Sequence, residues 1–412
     1  MPKRKNHVTS SRTCSTNWDL LLINADDMDR SNYKRLGDYI RIVDVRNRDL
    51  AVTNLLGVSI SKTFIPSIAN TIGTDMSTYK VVEPYQFAYG PVTSRNGDKI
   101  TFALYKGAEK CIISQAYETF EIIDKELLDS DYLMMWALRP EFDRYARFKS
   151  NGSAREIFSW DEMCEVYLPV PDIATQRRIV AEYQTVEKRI DSNKVLIASL
   201  HDTAWAVYKE MFISSINLSD LPQGWCSGTL ADLGDIISGA TPSTEVPEYW
   251  QEDGIVWLSP ADLSREGTLF MRRGAKSISD KGYKSASTRL LPKGAILFSS
   301  RAPIGLMSIA AVDLCTNQGF KSIVPKKEIG TEYTYYVLAS LKDRIANENT
   351  GATFAEVSGS SLKLYEAIIP TEDATRRFSE LVAPIHRYID AIECENKVLK
   401  DMLGLLLSKL SE

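Results

Sequence analysis

The chain has little cysteine and little histidine, with six cysteines and three histidines among its 412 residues. The cysteines are scattered, and no two of them stand in a CxxC spacing. This pattern argues against a disulfide framework and against a zinc site of the common kind, and it suits a reducing compartment.

Long apolar runs are missing as well. No stretch approaches the 18 or more apolar residues that a membrane-spanning helix requires. Lys3, Arg4 and Lys5 lie near the start, but a polar stretch follows them instead of the apolar core of a signal peptide. We therefore expect a cytoplasmic protein that does not contact a membrane.

The chain also lacks an excess of positive charge, since its formal net charge is −5. An acidic chain is not expected to bind nucleic acid indiscriminately, because a phosphate-binding surface normally carries surplus lysine and arginine. One segment departs from this average. Between residues 265 and 301 only two acidic residues oppose nine basic ones, which are Arg265, Arg272, Arg273, Lys276, Lys281, Lys284, Arg289, Lys293 and Arg301.

Catalytic signatures are absent from the sequence. It contains no GxxxxGK[ST] phosphate loop, no GxGxxG after a strand, no HExxH and no Asn/Asp-Pro-Pro-Tyr/Phe stretch of the adenine methyltransferase kind. The nearest approach to a nuclease pattern is Asp172 followed by Glu187, but Arg189 stands where a lysine is expected. A solvated helix face is the better interpretation of Glu187. We therefore expect no catalytic centre in this chain.

What the sequence does contain is an internal repeat with a unit of about 200 residues. Five pairs of short segments recur in the same order, namely 36–40 and 233–237, 114–117 and 317–320, 152–154 and 351–353, 175–178 and 374–377, and 193–196 and 396–399. Such a unit is too long for a solenoid, so each copy is expected to be a globular domain followed by a helix. Short β-rich runs such as 255–258 and 295–298, bounded by Gly, Pro and Ser, predict mixed α and β structure.

The helix of each copy has the spacing of a coiled-coil seam. Apolar residues alternate steps of four and three over 179–211 and again over 378–410, with one clearly polar interruption each, Asn193 and Asn396. If the helices run antiparallel with the ends of the two seams matched, the asparagines share one layer, and a paired polar layer fixes register. The alternative is that each asparagine is merely tolerated in its own helix. Pro384 predicts a kink in the second helix or marks its start.

Several phrases of the second copy resemble the DNA-specificity subunits of Type I restriction-modification systems. They are Leu221–Trp225, Ile237–Ser243 and Trp257–Asp262 at its opening, Leu290–Gly294, Ser299–Gly305 and Thr316–Lys321 in its middle, and Gly351–Leu362 with Ile368–Pro370 at its exit. The resemblance runs from about Tyr33 to the end of the chain. The first copy departs from it, with Phe87–Pro91 where the second copy has Ser300–Pro303.

The resemblance implies an α+β fold in which two target-recognition domains are separated by two long antiparallel coiled-coil helices, related by an internal pseudo-twofold repeat. The expected boundaries are an N-terminal extension at 1–30, a first target-recognition domain at 31–171, a first spacer helix at 172–214, a second target-recognition domain at 221–370 and a second spacer helix at 371–412.

The function that the resemblance implies is non-catalytic. Such a subunit recognises a bipartite, asymmetric double-stranded DNA target and directs adenine methylation or cleavage by its partners. The implied partners are two methyltransferase subunits, which use S-adenosylmethionine, and two restriction-translocase subunits, which use ATP and Mg. This chain itself is expected to hold no cofactor and no metal.

Base-edge contacts specify a DNA sequence, whereas phosphate contacts position the protein. On this basis the candidate DNA-binding residues are Arg301, Gln318, Lys321 and Arg289 in the second copy, with Arg95 and Gln115 in the first. The competing interpretation gives Arg301 and Gln318 structural roles within their own loops. Two other functions stay open at this point. One is a scaffold that spaces two protein-binding modules, which the acidic charge favours, and the other is an enzyme with dispersed carboxylates, which no spacing supports.

Overall fold

A computed structural model describes residues 32–67, 73–94, 96–151, 156–349 and 355–411. The chain divides into two compact units, the first up to Lys188 together with the residues from Lys400 onward, and the second from Arg189 to Leu399. The predicted N-terminal extension, Arg95 and the repeat segments at 152–154 and 351–353 lie outside the described residues. A search of the described helices finds none with the length and apolar character of a membrane span.

The described part of the first unit is built mainly from short strands. These are β1 (Tyr33–Arg35), β2 (Ile40–Ile42), β3 (Leu56–Val58), β4 (Phe64–Pro66), β5 (Lys80–Val82), β6 (Phe87–Tyr89), β7 (Phe102–Leu104), β8 (Cys111–Ile113), β9 (Glu118–Ile122) and β10 (Tyr167–Pro169). Its helices are α1 (Ser130–Leu138), α2 (Pro140–Lys149) and α3 (Trp160–Cys164), and the long helix α4 (Ile173–Lys209) follows. An antiparallel sheet has the strand order β2-β9-β6-β7, and β1 pairs with β10.

Both faces of this four-stranded sheet are buried. Neighbouring residues of a strand point to opposite faces. Phe87, Phe102 and Phe120 accordingly pack on one face, with the rings of Phe87 and Phe120 stacked 4.9 Å apart. The small residues Ala88 and Ala103 face the other way, into a separate cluster with β5 and β8. The sheet is therefore the middle layer of the first unit.

The second unit also combines short strands and short helices. Its strands are β11 (Cys226–Thr229), β12 (Gly234–Ser238), β13 (Trp250–Leu258), β14 (Phe270–Met271), β15 (Lys276–Ile278), β16 (Ile296–Phe298), β17 (Met307–Ala310), β18 (Cys315–Thr316), β19 (Lys321–Pro325) and β20 (Glu366–Ile369). Its helices are α5 (Leu230–Leu233), α6 (Pro260–Glu266), α7 (Asp280–Ser285), α8 (Thr331–Glu348), α9 (Gly359–Lys363) and the long α10 (Glu372–Ser408). The chain is thus α+β with two long helices, as predicted.

The two units share a strand order. The second unit has a sheet with the order β12-β19-β16-β17-β14, whose first four strands repeat the order β2-β9-β6-β7 of the first unit. In each unit the opening strand also pairs antiparallel with the strand that precedes a long helix, β1 with β10 and β11 with β20. This agreement fits the repeat found in the sequence. A three-stranded sheet, β15-β13-β18, lies beside the larger sheet in the second unit.

The two long helices bury the seams that the heptad spacing predicts. Every seam position over 179–211 and 378–410 is buried or half-buried. α4 ends at Lys209, and Met211 lies in the π-helical turn that follows it. α10 begins at Glu372 and runs through Pro384. Of the two roles predicted for Pro384, a helix start is therefore wrong. A proline is tolerated there although it provides no N–H for the bond to the carbonyl four residues earlier.

Asn193 and Asn396 meet inside the second unit. The Asn193 amide nitrogen donates to the Asn396 side-chain oxygen at 2.9 Å, and both residues are buried. The same nitrogen lies 3.1 Å from a Glu395 carboxylate oxygen, which also accepts from Arg189. This is the layer that the antiparallel register predicts. The ion pair at its edge adds a further contact between the helices.

Replacing either asparagine of this layer with leucine should lower the free energy of unfolding by about 1–3 kcal/mol, because the remaining amide is left buried without its partner. Replacing both should restore most of that stability, since two leucines pack against each other, while it loosens the register. Urea unfolding of the two single variants and the double variant measures the coupling. A double variant whose destabilisation equals the sum of the two single effects would argue against the pairing.

Candidate nucleic-acid interface

The basic segment of the second unit is only partly neutralised by its own chain. Arg265, Arg272 and Arg301 pair with nearby carboxylates at 2.7, 2.5 and 3.6 Å. The other six basic side chains are exposed, and within the described residues none of them forms an ion pair; they are Arg273, Lys276, Lys281, Lys284, Arg289 and Lys293. These six cations are therefore available to an anionic partner.

The short helix α7 carries two of these cations. Lys281 and Lys284 are three residues apart, which places them on the same face of the helix. Ser279 caps the helix by accepting a bond from the Gly282 amide. Gly282 also packs so closely that a Cβ there would lie 2.3 Å from the Tyr249 carbonyl oxygen. Only glycine at position 282 lets α7 pack this closely against the backbone of Tyr249.

Two tryptophans support the loop at 239–243. The rings of Trp250 and Trp257 meet edge to face at 5.2 Å. Trp250 donates its indole N–H to the Ser243 carbonyl, and Trp257 donates to the Ala240 carbonyl. The Lys276 ammonium lies 5.0 Å from the centre of the Trp250 ring, which favours the cation at that place. An unpaired lysine is thereby positioned beside the loop.

The 239–243 loop packs against the turn that contains Gln318. The Ala240 amide donates to the Thr316 carbonyl at 2.9 Å, and the Thr241 hydroxyl donates to the Gln318 side-chain oxygen. A Cβ at Gly239 would lie 2.2 Å from two carbonyl oxygens of that turn, so only glycine permits the approach. Gln318 is exposed, and its side chain is held in place by Thr241.

Arg301, Lys321 and Glu356 form an ionic cluster, here called the Glu356 cluster. Arg301 Nη1 and Lys321 Nζ each lie 3.6 Å from an oxygen of the Glu356 carboxylate. Lys321 is only 9% exposed, and its ammonium also lies 3.4 Å from the Gln318 carbonyl. A bond from the Val357 amide to the Ser300 carbonyl ties together the two chain segments that supply Glu356 and Arg301.

The structure thus brings together three of the candidate residues, Arg301, Gln318 and Lys321. Arg289 is exposed. It lies near the turn that contains Gln318, because the hydroxyl of the preceding Thr288 donates to the Thr316 carbonyl. Gln115 is exposed in the first unit, in the turn between β8 and β9. Arg95 lies outside the described residues.

Sequence reasoning missed Glu356, Thr241 and Trp250. Glu356 lies 55 positions from Arg301 and 35 from Lys321, and no local spacing links the three. Thr241 contacts Gln318, 77 residues away, whereas Trp250 contacts Ser243 and Trp257 nearby in the chain. The sequence offered one signal for Thr241, which is its place in the family phrase Ile237–Ser243.

A half-buried carboxylate joins α10 to the edge of the large sheet. Glu393 accepts bonds from the backbone amides of Leu269 and Phe270, at 2.6 and 3.2 Å, where β14 begins. Burial raises the pKa of Glu393 to about 7, and the two amide bonds oppose that rise. The ion pair between Arg272 and Asp390 lies one helical turn away and joins the same two elements.

Replacing Glu393 with glutamine should make the unfolding free energy less dependent on pH. The folded carboxyl keeps its proton up to about pH 7, whereas the unfolded one loses it near its ordinary pKa of 4.5. The protonated group therefore stabilises the fold fully below pH 4.5, and this contribution is lost as the pH rises through 7.

The stability of the glutamine variant relative to the natural chain should thus increase from pH 4.5 to 7.5, by at most about 1.4 kcal/mol per pH unit. Urea unfolding at several pH values measures this difference. A difference that stays constant over this range would show that Glu393 does not titrate as described.

A family model matches most of the second unit. Residues 222–400 match the family model described as the Type I restriction modification DNA specificity domain. The resemblance predicted from the sequence phrases is thereby confirmed, and the matched range contains the basic segment and the Glu356 cluster.

Curated relatives are specificity subunits of the same kind of system. The chain is 34% identical over 186 residues to the Type I restriction enzyme MjaIX specificity subunit of Methanocaldococcus jannaschii, which covers 45% of this chain and 43% of the relative. It is 29% identical over 196 residues to the Type I restriction enzyme HindI specificity subunit of Haemophilus influenzae, covering 46% and 41%. The chain spans less than half the length of these relatives.

A solved structure shares the fold. The crystal structure of the Type I restriction-modification system S subunit from M. genitalium matches with a TM-score of 0.54 and 14% identity, covering 92% of this chain and 95% of that one. At this level of identity the likeness concerns the fold alone.

Proposed function

We propose that this chain is the sequence-specific DNA-binding subunit of a Type I restriction-modification complex. It recognises a bipartite, asymmetric target and directs adenine methylation or cleavage by its partners. One observation carries the proposal: the family domain at 222–400 coincides with the unit that presents six exposed cations without ion pairs in the described chain. Surplus cations on an acidic protein are the electrostatic feature that phosphate binding requires.

Different residues serve the two parts of recognition. Arg273, Lys276, Lys281, Lys284 and Lys293 are assigned to phosphates, which position the protein without reading sequence. Arg301, Gln318 and Arg289 are assigned to base edges in one half-site, and Gln115 and Arg95 to the other. Lys321 is assigned a supporting role, because it is buried and paired with Glu356. A scaffold without DNA contact leaves the exposed cations unexplained.

Two reading domains separated by an antiparallel coiled coil complete the proposal. The strand order common to both units supports a duplicated reader, and the Asn193–Asn396 contact supports an antiparallel seam. The range 31–171 is assigned to the first reader and 221–370 to the second. Because both readers differ in their loops, the two half-sites differ in sequence.

The chemistry is assigned to partner subunits. We assign no catalytic step and no cofactor to this chain, and we assign S-adenosylmethionine to two methyltransferase subunits and ATP with Mg to two restriction-translocase subunits. An apolar surface for a protein partner is available on α10, where Leu381, Tyr388 and Val398 are exposed.

Replacing Arg273, Lys276, Lys281 and Lys284 with glutamine should weaken binding to all DNA sequences alike, because these cations are assigned to phosphates. The slope of the logarithm of affinity against the logarithm of salt concentration should fall by about one for each cation that no longer binds a phosphate. The sequence preference should not change. Binding is measured on duplexes selected from a random pool by the chain together with its methyltransferase subunits.

A matched control replaces Arg344 and Arg376 with glutamine, since both are exposed but paired with carboxylates on their own helices. The control should keep the salt slope of the natural chain. An unchanged salt slope in the fourfold variant would show that these four cations do not contact DNA phosphates. Failure of the natural chain and its methyltransferase subunits to enrich any sequence would overturn the proposed function itself.

The long helices are proposed to set the gap between the half-sites. The first seam spans roughly 48 Å at about 1.5 Å per residue. Two domains that bind the same face of a DNA duplex contact sites about one helical turn apart, or about 34–36 Å. We therefore expect two short specified blocks around a spacer of about five to eight base pairs.

Inserting one heptad into both helices, in register, adds about 10.5 Å to each seam. At about 3.4 Å per base pair this should lengthen the spacer by about three base pairs and leave the specified bases unchanged. Methylation mapping of DNA from cells that express the variant gives the spacer length. A spacer of the original length would mean that the helices only hold partner subunits.

A further inference from the structure

We propose that Glu356 orients Arg301 toward a guanine in the half-site of the second unit, so that Arg301 reads the base and Glu356 is its positioning residue. This inference rests on the proposed function and adds to it one named base. The observation behind it is the geometry of the Glu356 cluster, in which one carboxylate contacts both a half-buried arginine and a buried lysine.

Glu356 is held in place by groups behind it. The buried Lys321 ammonium requires a counter-charge, because an unpaired charge in a protein interior is costly. Glu356 supplies that charge at 3.6 Å, and the backbone bond from Val357 to Ser300 fixes the adjoining chain. The Glu356 carboxylate is therefore a counter-charge that Lys321 and Arg301 share.

Arg301 keeps most of its hydrogen-bonding capacity. A guanidinium has five N–H donors in a rigid fork, and the contact of Arg301 with Glu356 is a loose one at 3.6 Å. Tight charge-assisted bonds are about 2.7–2.9 Å long, as in the Arg344–Glu348 pair at 2.8 Å. The Arg301 side chain is also 38% exposed. Glu356 can thus orient the fork without occupying it.

The charges favour a base edge over a phosphate as the ligand of Arg301. A phosphate bound at this arginine would stand close to the Glu356 carboxylate, and two like charges at short range repel. The major-groove edge of guanine is neutral and offers two acceptors, O6 and N7, which match the arginine fork. Guanine is therefore the base that this arrangement fits.

The test selects double-stranded DNA from a randomised pool with the full chain and its methyltransferase subunits. Arg301→Ala should abolish the preference for one guanine in one half-site. The expected loss of discrimination is between about 5-fold and 150-fold, the equivalent of about 1–3 kcal/mol. Glu356→Gln should reduce the preference at that same position by a smaller factor. Every other specified position, and the whole of the other half-site, should be unchanged in both variants.

Two comparisons separate positioning from general structural support. Arg301→Lys should retain affinity but weaken the guanine preference, because a lysine ammonium contacts O6 and N7 without the rigid fork of arginine. Glu380→Gln removes an exposed carboxylate that pairs with Arg376 on α10, and it should change no position. Thermal unfolding of each variant identifies any general loss of folding.

Three results would overturn the inference while the proposed function stands, since the natural chain would still select a bipartite target. They are a Glu356→Gln variant that weakens all positions equally, one that changes none, and a Glu356→Gln variant that loses a base preference which Arg301→Ala retains. Absence of any selected sequence with the natural chain would instead overturn the proposed function together with the inference.

Discussion

The hydrogen bond between Asn193 and Asn396 is the interaction on which the arrangement of the second unit depends. The other seam layers are apolar and tolerate a shift by one heptad, whereas a buried amide without a partner is costly. The asparagine layer therefore selects one register. Glu393, three residues before Asn396 on the same helix, accepts a bond from the backbone where β14 begins. One face of α10 thus contacts the other long helix and another contacts the large sheet.

The distribution of ion pairs explains how an acidic chain can present a basic surface. Arg265 and Arg272 are neutralised by carboxylates of their own unit, one of them on α10. The cations of α7 and the neighbouring loop are exposed and have no such pairing within the described chain. Net charge alone therefore points away from DNA, since most of the surplus acid lies elsewhere. What matters for a phosphate partner is the local balance of paired and unpaired charge.

Local periodicity made the helices predictable, whereas contacts between distant residues did not show in the sequence. A heptad pattern and one polar residue per seam are enough to predict the Asn193–Asn396 layer, because the geometry of a helix repeats every few residues. The run at 255–258 likewise lies at the end of β13. The burial of Lys321 and its pairing with Glu356 depend on how β19 and a remote loop pack together. The run of the helix through Pro384 is also a tertiary outcome, since packing of the seam outweighs one missing bond.

The two units show how one strand order can carry different charges at the same position. The repeat aligns Gln115 with Gln318. The third residue after each glutamine is the first residue of a strand, β9 in the first unit and β19 in the second. That residue is Glu118 in the first unit and Lys321 in the second. Glu118 pairs with Lys80 at 2.8 Å, whereas Lys321 pairs with Glu356. The charge at this shared position is therefore reversed, and each unit neutralises it with a residue from a different part of its own chain. Because the strand pairing is untouched by such a reversal, the loops above the sheet are free to present different groups.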